Sequence, residues 1–388
     1  MIVRQLSLTD FRNYESLDIT LGSGANLFVG SNGQGKTNLV EALGYLSTLG
    51  SHRVSVDHAM IRQGQDAAIV RARLVHAERE VLAEVQINRS TANRAQVNRS
   101  AIKTRELPRY FSSVLFAPED LALVRAEPSG RRRFLDELLV LRTPRMSGVM
   151  ADYDRVLRQR NTLLKSARNA GVKGDQLSTL AIWDERLVAL GSEIIQARSA
   201  LVAELTPEVS RAYTAIAGAD HAARLTSYLS ILAATPDEDA ADLSAVRSGV
   251  VTVEAAADAF RSALARLRRA ELDRGLSLAG PHRDDLVLEL NGLPARGYAS
   301  HGESWSFALA LKLASAAVLR RESSSGDPVL ILDDVFAELD ESRRGRLADA
   351  VGDFEQVLIT AAVLDDVPEN LATHIVRIRA GRIVDDGE

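Results

Sequence analysis

An α/β fold interrupted by a mainly helical second domain is what this sequence predicts. Three observations predict it. A glycine-rich octapeptide, Gly30 to Thr37, stands between a short apolar run and a helical pattern. A second apolar run, Val329 to Leu332, ends in two carboxylates, Asp333 and Asp334. Between them, from about Ser129 to Leu205, hydrophobic residues recur at helical spacing.

Taken in order, residues 1–29 read as strands. Leu17, Ile19 and Leu21 alternate with period two, and Asn26-Leu27-Phe28-Val29 is a buried run. A helix follows from Thr37 to about Leu49. Ala68 to Val75, Val81 to Ile87 and Gln96 to Ile102 read as three strands, and Ser113 to Phe116 as a buried one. Then the text turns helical. Trp183, Leu187, Leu190, Ile194, Ala197 and Leu201 alternate steps of four and three. That spacing suits a coiled-coil-like hairpin, or equally an amphipathic helix on a bundle. A helix from Val253 to Arg274 closes the segment. Strands return at Leu286 to Leu290, Val329 to Leu332 and Gln356 to Ile359. The expected domains are 1–125, the first part of the mixed-sheet domain; 126–275, the helical domain; and 276–388, the second part.

Bulk properties set limits. A length of 388 residues exceeds one compact core. There is no cysteine, so disulfides, thiolate metal sites and cysteine nucleophiles are excluded. No apolar run approaches the roughly 20 residues of a membrane span. Met1 to Gln5 lack a signal-peptide layout. A cytoplasmic protein with no membrane partner is expected. The net charge of −5 argues against a chain coated in nucleic acid, yet leaves room for a local basic surface.

Gly30, Ser31, Asn32, Gly33, Gln34, Gly35, Lys36 and Thr37 fit G-x-x-x-x-G-K-[ST] at every required position. Glycines let the backbone turn and aim its N–H groups at phosphate oxygens. The following helix adds its positive end. Lys36 can reach the β- and γ-phosphates of ATP, and Thr37 can ligate Mg²⁺. Asp333 is the expected second Mg²⁺ residue. Asp334 is expected to orient the attacking water. Lys36, Asp333 and Asp334 are therefore the catalytic candidates.

Ser300-His301-Gly302-Glu303 precedes a helix containing Phe307, Leu309, Leu311 and Leu313. It would form a second phosphate-binding helix end. One nucleotide rarely needs two such ends in one chain. A homodimer would use both, with Ser300 and Gly302 of one copy closing on ATP held by the other.

At these residues the chain resembles the bacterial RecF family, SMC-related ATPases of the ABC type. The resemblance runs nearly end to end. It includes Asp10-Phe11-Arg12-Asn13-Tyr14, Phe116-Ala117-Pro118-Glu119-Asp120-Leu121, Gly280-Pro281-His282-Arg283-Asp284-Asp285 and Leu332-Asp333-Asp334-Val335-Phe336. It implies an ABC-type P-loop head. Glu338-Leu339-Asp340 would be a D-loop at a dimer interface. Thr360 falls where transporters carry a switch histidine, and Pro118-Glu119-Asp120 falls near the Q-loop. Arg12 is offered for the adenine. Two departures stand out. Asp334 replaces the usual Glu, which implies slow turnover. Glu303-Ser304-Trp305 replace the usual Gln-Gln-Arg.

The resemblance further implies DNA, single-stranded, gapped or at a junction, as partner. It implies ATP-dependent dimers, RecR, RecO and RecA as associates, and roles in recombinational repair, replication and SOS induction. Three basic groups are candidate DNA surfaces: Arg89, Arg94, Arg99, Lys103, Arg105 and Arg109; Arg131 to Arg133; and Arg266, Arg268 and Arg269. No aromatic stacking pattern accompanies them. Two rivals are the nucleotide-binding subunit of an ABC transporter and a small-molecule P-loop kinase. The helical interruption and the missing switch histidine disfavour the first. The trans signature disfavours the second.

Overall fold

A computed structural model describes residues 1–170, 178–234, 245–323 and 326–384. The chain forms two compact units: Met1–Leu121, Ser210–Asp220 and Ser300–Glu388 make unit 1; Ala122–Val209 and His221–Ala299 make unit 2.

Unit 1 carries two sheets, with strands and helices numbered in chain order. The first is antiparallel and runs β2 (Tyr14–Thr20), β1 (Ile2–Phe11), β4 (Ala67–His76), β5 (Arg79–Asn88), β6 (Arg94–Val97), β7 (Ser100–Ile102). Its strands alternate, burying Leu6, Leu8, Val70, Ala72, Val85 and Ile87 on one face. The expected strand Gln96–Ile102 is two strands. Asn98 and Arg99, at φ 50° and 65°, turn the chain between β6 and β7. Asn suits this two-residue hairpin because it tolerates positive φ.

The second sheet runs β16 (Arg382–Val384), β15 (His374–Arg379), β3 (Gly24–Val29), β14 (Gln356–Ala361), β13 (Val329–Asp333), β8 (Ser113–Phe116). From β15 to β8 every pair is parallel. Helix α1 (Lys36–Thr48) buries Leu39, Val40, Ala42, Leu43, Tyr45 and Leu46 in a core that also takes Leu6, Val70, Phe28 and Ile331. So α1 lies between the two sheets, and hydrophobic residues surround it on nearly all sides. Helices α8 (His301–Glu322) and α9 (Glu341–Val351) complete the unit. A short helix, α2 (Leu121–Arg125), begins where unit 1's first stretch ends.

Unit 2 combines α3 (Pro128–Arg142), α4 (Met146–Ala170), most of α5 (Ser178–Ala217) and α6 (Val253–Arg274) with a small sheet. That sheet runs β10 (Val246–Arg247), β9 (Arg224–Tyr228), β11 (Asp285–Leu290), β12 (Leu293–Pro294), and α7 (Ala295–Tyr298) follows it. Leu187 and Ile194 of the heptad seam share a core with Tyr153 and Val156 of α4 and Phe260 and Leu264 of α6. Three helices therefore meet there. The sequence reading closes the helical segment at 275. Residues 276–299 stay with unit 2 because β11 pairs with β9 from Asp285 to Glu289. Helix α5 also outruns its expected end at 205, continuing through Pro207. Pro207 has no N–H to give the preceding turn. Beside it, Thr206 Oγ1 donates to the Val202 carbonyl at 2.7 Å.

Buried charges tie unit 2 together. Arg160 is fully buried and donates to Asp184 (2.8 Å), Glu271 (2.5 Å) and Ser277 (2.7 Å). The segment Gly280 to Asp285 turns inward. His282 Nδ1 lies 2.7 Å from the Tyr153 hydroxyl. Asp284 Oδ1 accepts from the N–H and hydroxyl of Ser230. Asp285 receives both arms of Arg131 at 2.8 Å.

Candidate nucleotide-binding site

The phosphate loop leaves β3 and enters α1, at the C-terminal edge of the parallel strands, where open α/β sheets bind ligands. Residue types set its shape. Gly35 takes φ 115°. A Cβ there would come within 2.7 Å of Asn13 Nδ2 and 2.9 Å of the Tyr14 hydroxyl. At Gly30 a Cβ would meet the Ile378 carbonyl at 2.2 Å. Several bonds hold the loop from outside. Tyr14 Oη donates to the Gly35 carbonyl (3.0 Å), Asn13 Nδ2 to the Gln34 carbonyl (3.2 Å), and Gly381 N to the same carbonyl (2.9 Å). Gly35 caps α1 with no side-chain hydrogen bond, and the first turn carries no acid. Its leading N–H groups have no intrahelical partner. Lys36 is buried, with Nζ donating to the carbonyls of Gly30 (2.8 Å) and Ser31 (3.4 Å).

Sheet register brings the distant acids to this loop. β14 lies between β3 and β13, pairing Thr360 with Phe28 on one side and Asp333 on the other. Asp333 Oδ1 accepts from the hydroxyls of Thr37 (3.1 Å) and Thr360 (2.6 Å). Thr360 Oγ1 in turn accepts from Asp334 N at 2.9 Å. Thr37, Asp333 and Thr360 are thus one hydrogen-bonded set. Hydroxyl and carboxylate oxygens are the hard donors that Mg²⁺ takes, with phosphates and waters filling its remaining positions. Among the described residues no group of three or more His, Cys, Asp or Glu could hold a metal by itself.

Asp334 adopts φ 50°, in the left-handed region that Asp enters more readily than most residues with a Cβ. Its Oδ1 is buried without a hydrogen-bond partner. Burial pushes its carboxyl above the ordinary range, while the nearby Lys36 ammonium opposes the rise.

The signature segment lies at the start of α8. Ser300 is the cap: its Oγ accepts from Glu303 N (3.3 Å), and Glu303 Oε2 accepts from Ser300 N (2.8 Å). This gives Glu303 a definite job as a capping-box residue. Ser304 bonds back to the Ser300 carbonyl at 2.8 Å, and Trp305 is buried. Gly302 faces Arg343, whose Nε donates to Ser306 Oγ (3.1 Å) and whose guanidinium pairs with Asp340. Asp340 also caps α9, accepting from Arg343 N at 2.9 Å. Among the described residues no hydrogen bond or ion pair joins Ser300 or Gly302 to residues 30–37. The Pro118 to Asp120 turn connects to α8, with Asp120 and Lys312 paired at 2.9 Å.

Arg12 is bound to Glu41 through Nε (2.8 Å) and Nη2 (2.6 Å), and to the Ala59 carbonyl. The basic groups separate by environment. Arg131 is buried against Asp285, and Arg132 donates to the Asp284 carbonyl. Arg268 pairs with Asp184, and Arg266 donates to the Ala233 carbonyl. Arg94, Arg99, Lys103, Arg105 and Arg109 are exposed, and no side-chain partner holds them among the described residues. Sequence reasoning passed over His52, whose imidazole stands beside Asp333. Its only sequence signal was proximity to the end of α1.

The parallel sheet with β3 inside it, the capped loop and the acidic end of β13 define a P-loop ATPase head of the ABC type. The chain belongs to the RecF/RecN/SMC N terminal domain family, whose model matches residues 2–381. It is 69% identical over 388 residues to the DNA replication and repair protein RecF of Clavibacter sepedonicus, covering 99% of this chain and 95% of the relative. With RecF of Leifsonia xyli subsp. xyli it shares 64% identity over 386 residues, 99% of this chain and 100% of the relative. A solved structure described as the recombination mediator protein RecF-ATP in the RecFOR pathway matches with a TM-score of 0.85 at 27% identity, covering 98% of this chain and 96% of that one. The Smc head domain from Pyrococcus furiosus matches with a TM-score of 0.52 at 16% identity, covering 98% of this chain and 95% of that one. That likeness speaks for the fold alone. Among the described residues no helix is long and apolar enough to cross a membrane.

Proposed function

We propose that this chain is an ATP-operated DNA-binding switch of recombinational repair and replication. One observation carries the reading: at the helix start that follows the phosphate loop, Thr37 shares Asp333 Oδ1 with Thr360, an arrangement that suits the phosphates of a nucleotide and their metal ion. The RecF names of the relatives, and the RecF-ATP structure among the neighbours, support the same reading.

In this reading Gly30 to Thr37 hold the phosphates of ATP, and Lys36 neutralises their outer charge. Thr37 and Asp333 would hold Mg²⁺, which would supply neutralisation of the phosphate charge. Asp334 orients the water and accepts its proton. The short side chain and the left-handed backbone leave it little freedom to adjust, which suits slow turnover. Ser300 and Gly302 of a second copy close the site, so ATP joins two heads. Arg343 fixes the α8 cap against Asp340, so both elements meet the partner as one surface. DNA, single-stranded, gapped or at a junction, is held by the dimer. The exposed group from Arg94 to Arg109 is its contact, and RecR, RecO and RecA are its associates in RecA loading and SOS induction. Hydrolysis resets the switch. The transporter alternative is not favoured, because the relatives are repair proteins over their whole length.

Binding to gapped, duplex and single-stranded DNA, titrated against salt with and without ATP, tests the reading. ATP-dependent affinity that falls steeply with salt is expected. Affinity indifferent to ATP would overturn it.

A further inference from the structure

We propose that His52 is a further residue of this site, one that recognises the terminal phosphate of ATP; the inference rests on the nucleotide-binding reading above. His52 belongs to a loop whose conformation is fixed on both sides. Leu49 ends α1 at φ 56° and turns the chain back toward it. Ser51 is buried, and its Oγ donates to Glu41 Oε1 at 2.5 Å. Ser51 Oγ also accepts from the N–H groups of Arg53 (3.0 Å) and Val54 (3.1 Å). Glu41 lies one helical turn beyond Thr37 and is itself clamped by Arg12. The magnesium-side hydroxyl and the anchor of the His52 loop therefore share one face of α1.

This scaffold sets the imidazole against the acidic strand end. His52 Nε2 is buried and has no hydrogen-bond partner. It lies 3.8 Å from Asp333 Oδ2, beyond hydrogen-bonding reach. The other oxygen of Asp333 is occupied by Thr37 and Thr360. A buried polar nitrogen without a partner is rare in a folded protein and points to a group that arrives later. The chemistry of that group follows from the place. Thr37 and Asp333 would hold the metal ion that accompanies the outer phosphates, so a phosphate oxygen placed beside Asp333 would belong to that end of the nucleotide. An imidazole N–H is a donor matched to a phosphate oxygen. ADP lacks the terminal group, so the contact distinguishes the two nucleotides. The link through Ser51 and Glu41 to Arg12 would carry that distinction to the N-terminal sheet.

Calorimetric titration of the full chain tests this, using Mg²⁺ with ADP or with a non-hydrolysable imido analogue of ATP. His52→Ala should weaken the triphosphate about ten-fold, the loss of one charge-assisted hydrogen bond. ADP binding should stay within about two-fold of wild type, since no contact to it is removed. His52→Gln, which keeps a donor, should recover part of the loss. In ¹⁵N-histidine spectra the His52 resonance should move with the triphosphate and not with ADP. Equal weakening of both nucleotides, or no weakening, would overturn the role of His52. Wild-type binding by Lys36→Met would instead overturn the nucleotide site itself.

Discussion

Thr360→Val removes one hydroxyl and keeps the volume of the side chain. Thr360 Oγ1 donates to Asp333 at 2.6 Å and accepts from Asp334 N at 2.9 Å, and it is fully buried. Losing a hydrogen bond to a carboxylate costs about 2 kcal/mol, and leaving the Asp334 N–H unpaired costs about 1 to 2 more. The total, about 3 to 4 kcal/mol, should lower the unfolding temperature of unit 1 by roughly 10 °C. Scanning calorimetry without nucleotide measures it. Thr360→Ser keeps the hydroxyl and should stay within about 3 °C of wild type. Asp333 would also lose a constraint on its orientation, so Thr360→Val should turn over ATP more slowly than Thr360→Ser. If valine were as stable as wild type, or serine as unstable as valine, Thr360 would not be holding the acidic strand end.

Lys36→Met should abolish nucleotide binding and ATP-driven dimers, read by calorimetry and sedimentation velocity; normal dimers would remove the loop from the site. Ser300→Arg should bind nucleotide as a monomer yet fail to dimerise, and loss of monomer binding would place Ser300 within one chain's own site. Asp334→Asn should bind ATP but hydrolyse it at least ten-fold more slowly, in line with the usual contribution of a positioned base; unchanged steady-state turnover would exclude Asp334. Burial raises the Asp284 carboxyl to about 6. A raised carboxyl contributes stability that is full below the unfolded value near 4 and is lost as pH rises through about 6, on the order of 3 kcal/mol. Asp284→Asn should therefore flatten the fall in unfolding temperature between pH 4 and 6.

What was legible in the sequence was local or periodic. The phosphate loop is eight consecutive residues whose chemistry admits few substitutes, and its helix and strand flank it directly. The apolar run into Asp333 needed only one strand's worth of text. Strand β9 escaped because Arg224-Leu225-Thr226-Ser227-Tyr228 is short and follows a long helix; its pairing with β11 supplies what its sequence does not. Helix α5 runs on through Pro207, past the end near Leu205 that the apolar spacing suggests. Arg131 and Arg132 read as a surface charge cluster, yet they serve the interior of unit 2. Charge alone does not report burial when the partner lies more than 150 residues away. His52 was illegible for the same reason: its meaning depends on Asp333, and only the sheet register puts the two together.

The position of β3 has a consequence for how the protein is made. Both of its sheet neighbours, β14 and β15, are synthesised about 330 residues or more after it. At ribosomal speeds of about 5 to 20 residues per second, the strand waits roughly 15 to 65 seconds for them. Until then nothing fixes the carbonyl of Ile378 against Gly30, or Thr360 against Asp333. The nucleotide loop, though written near the start of the message, acquires its shape among the last parts of the molecule. An unfinished chain on the ribosome thus lacks the strands that give this loop its shape.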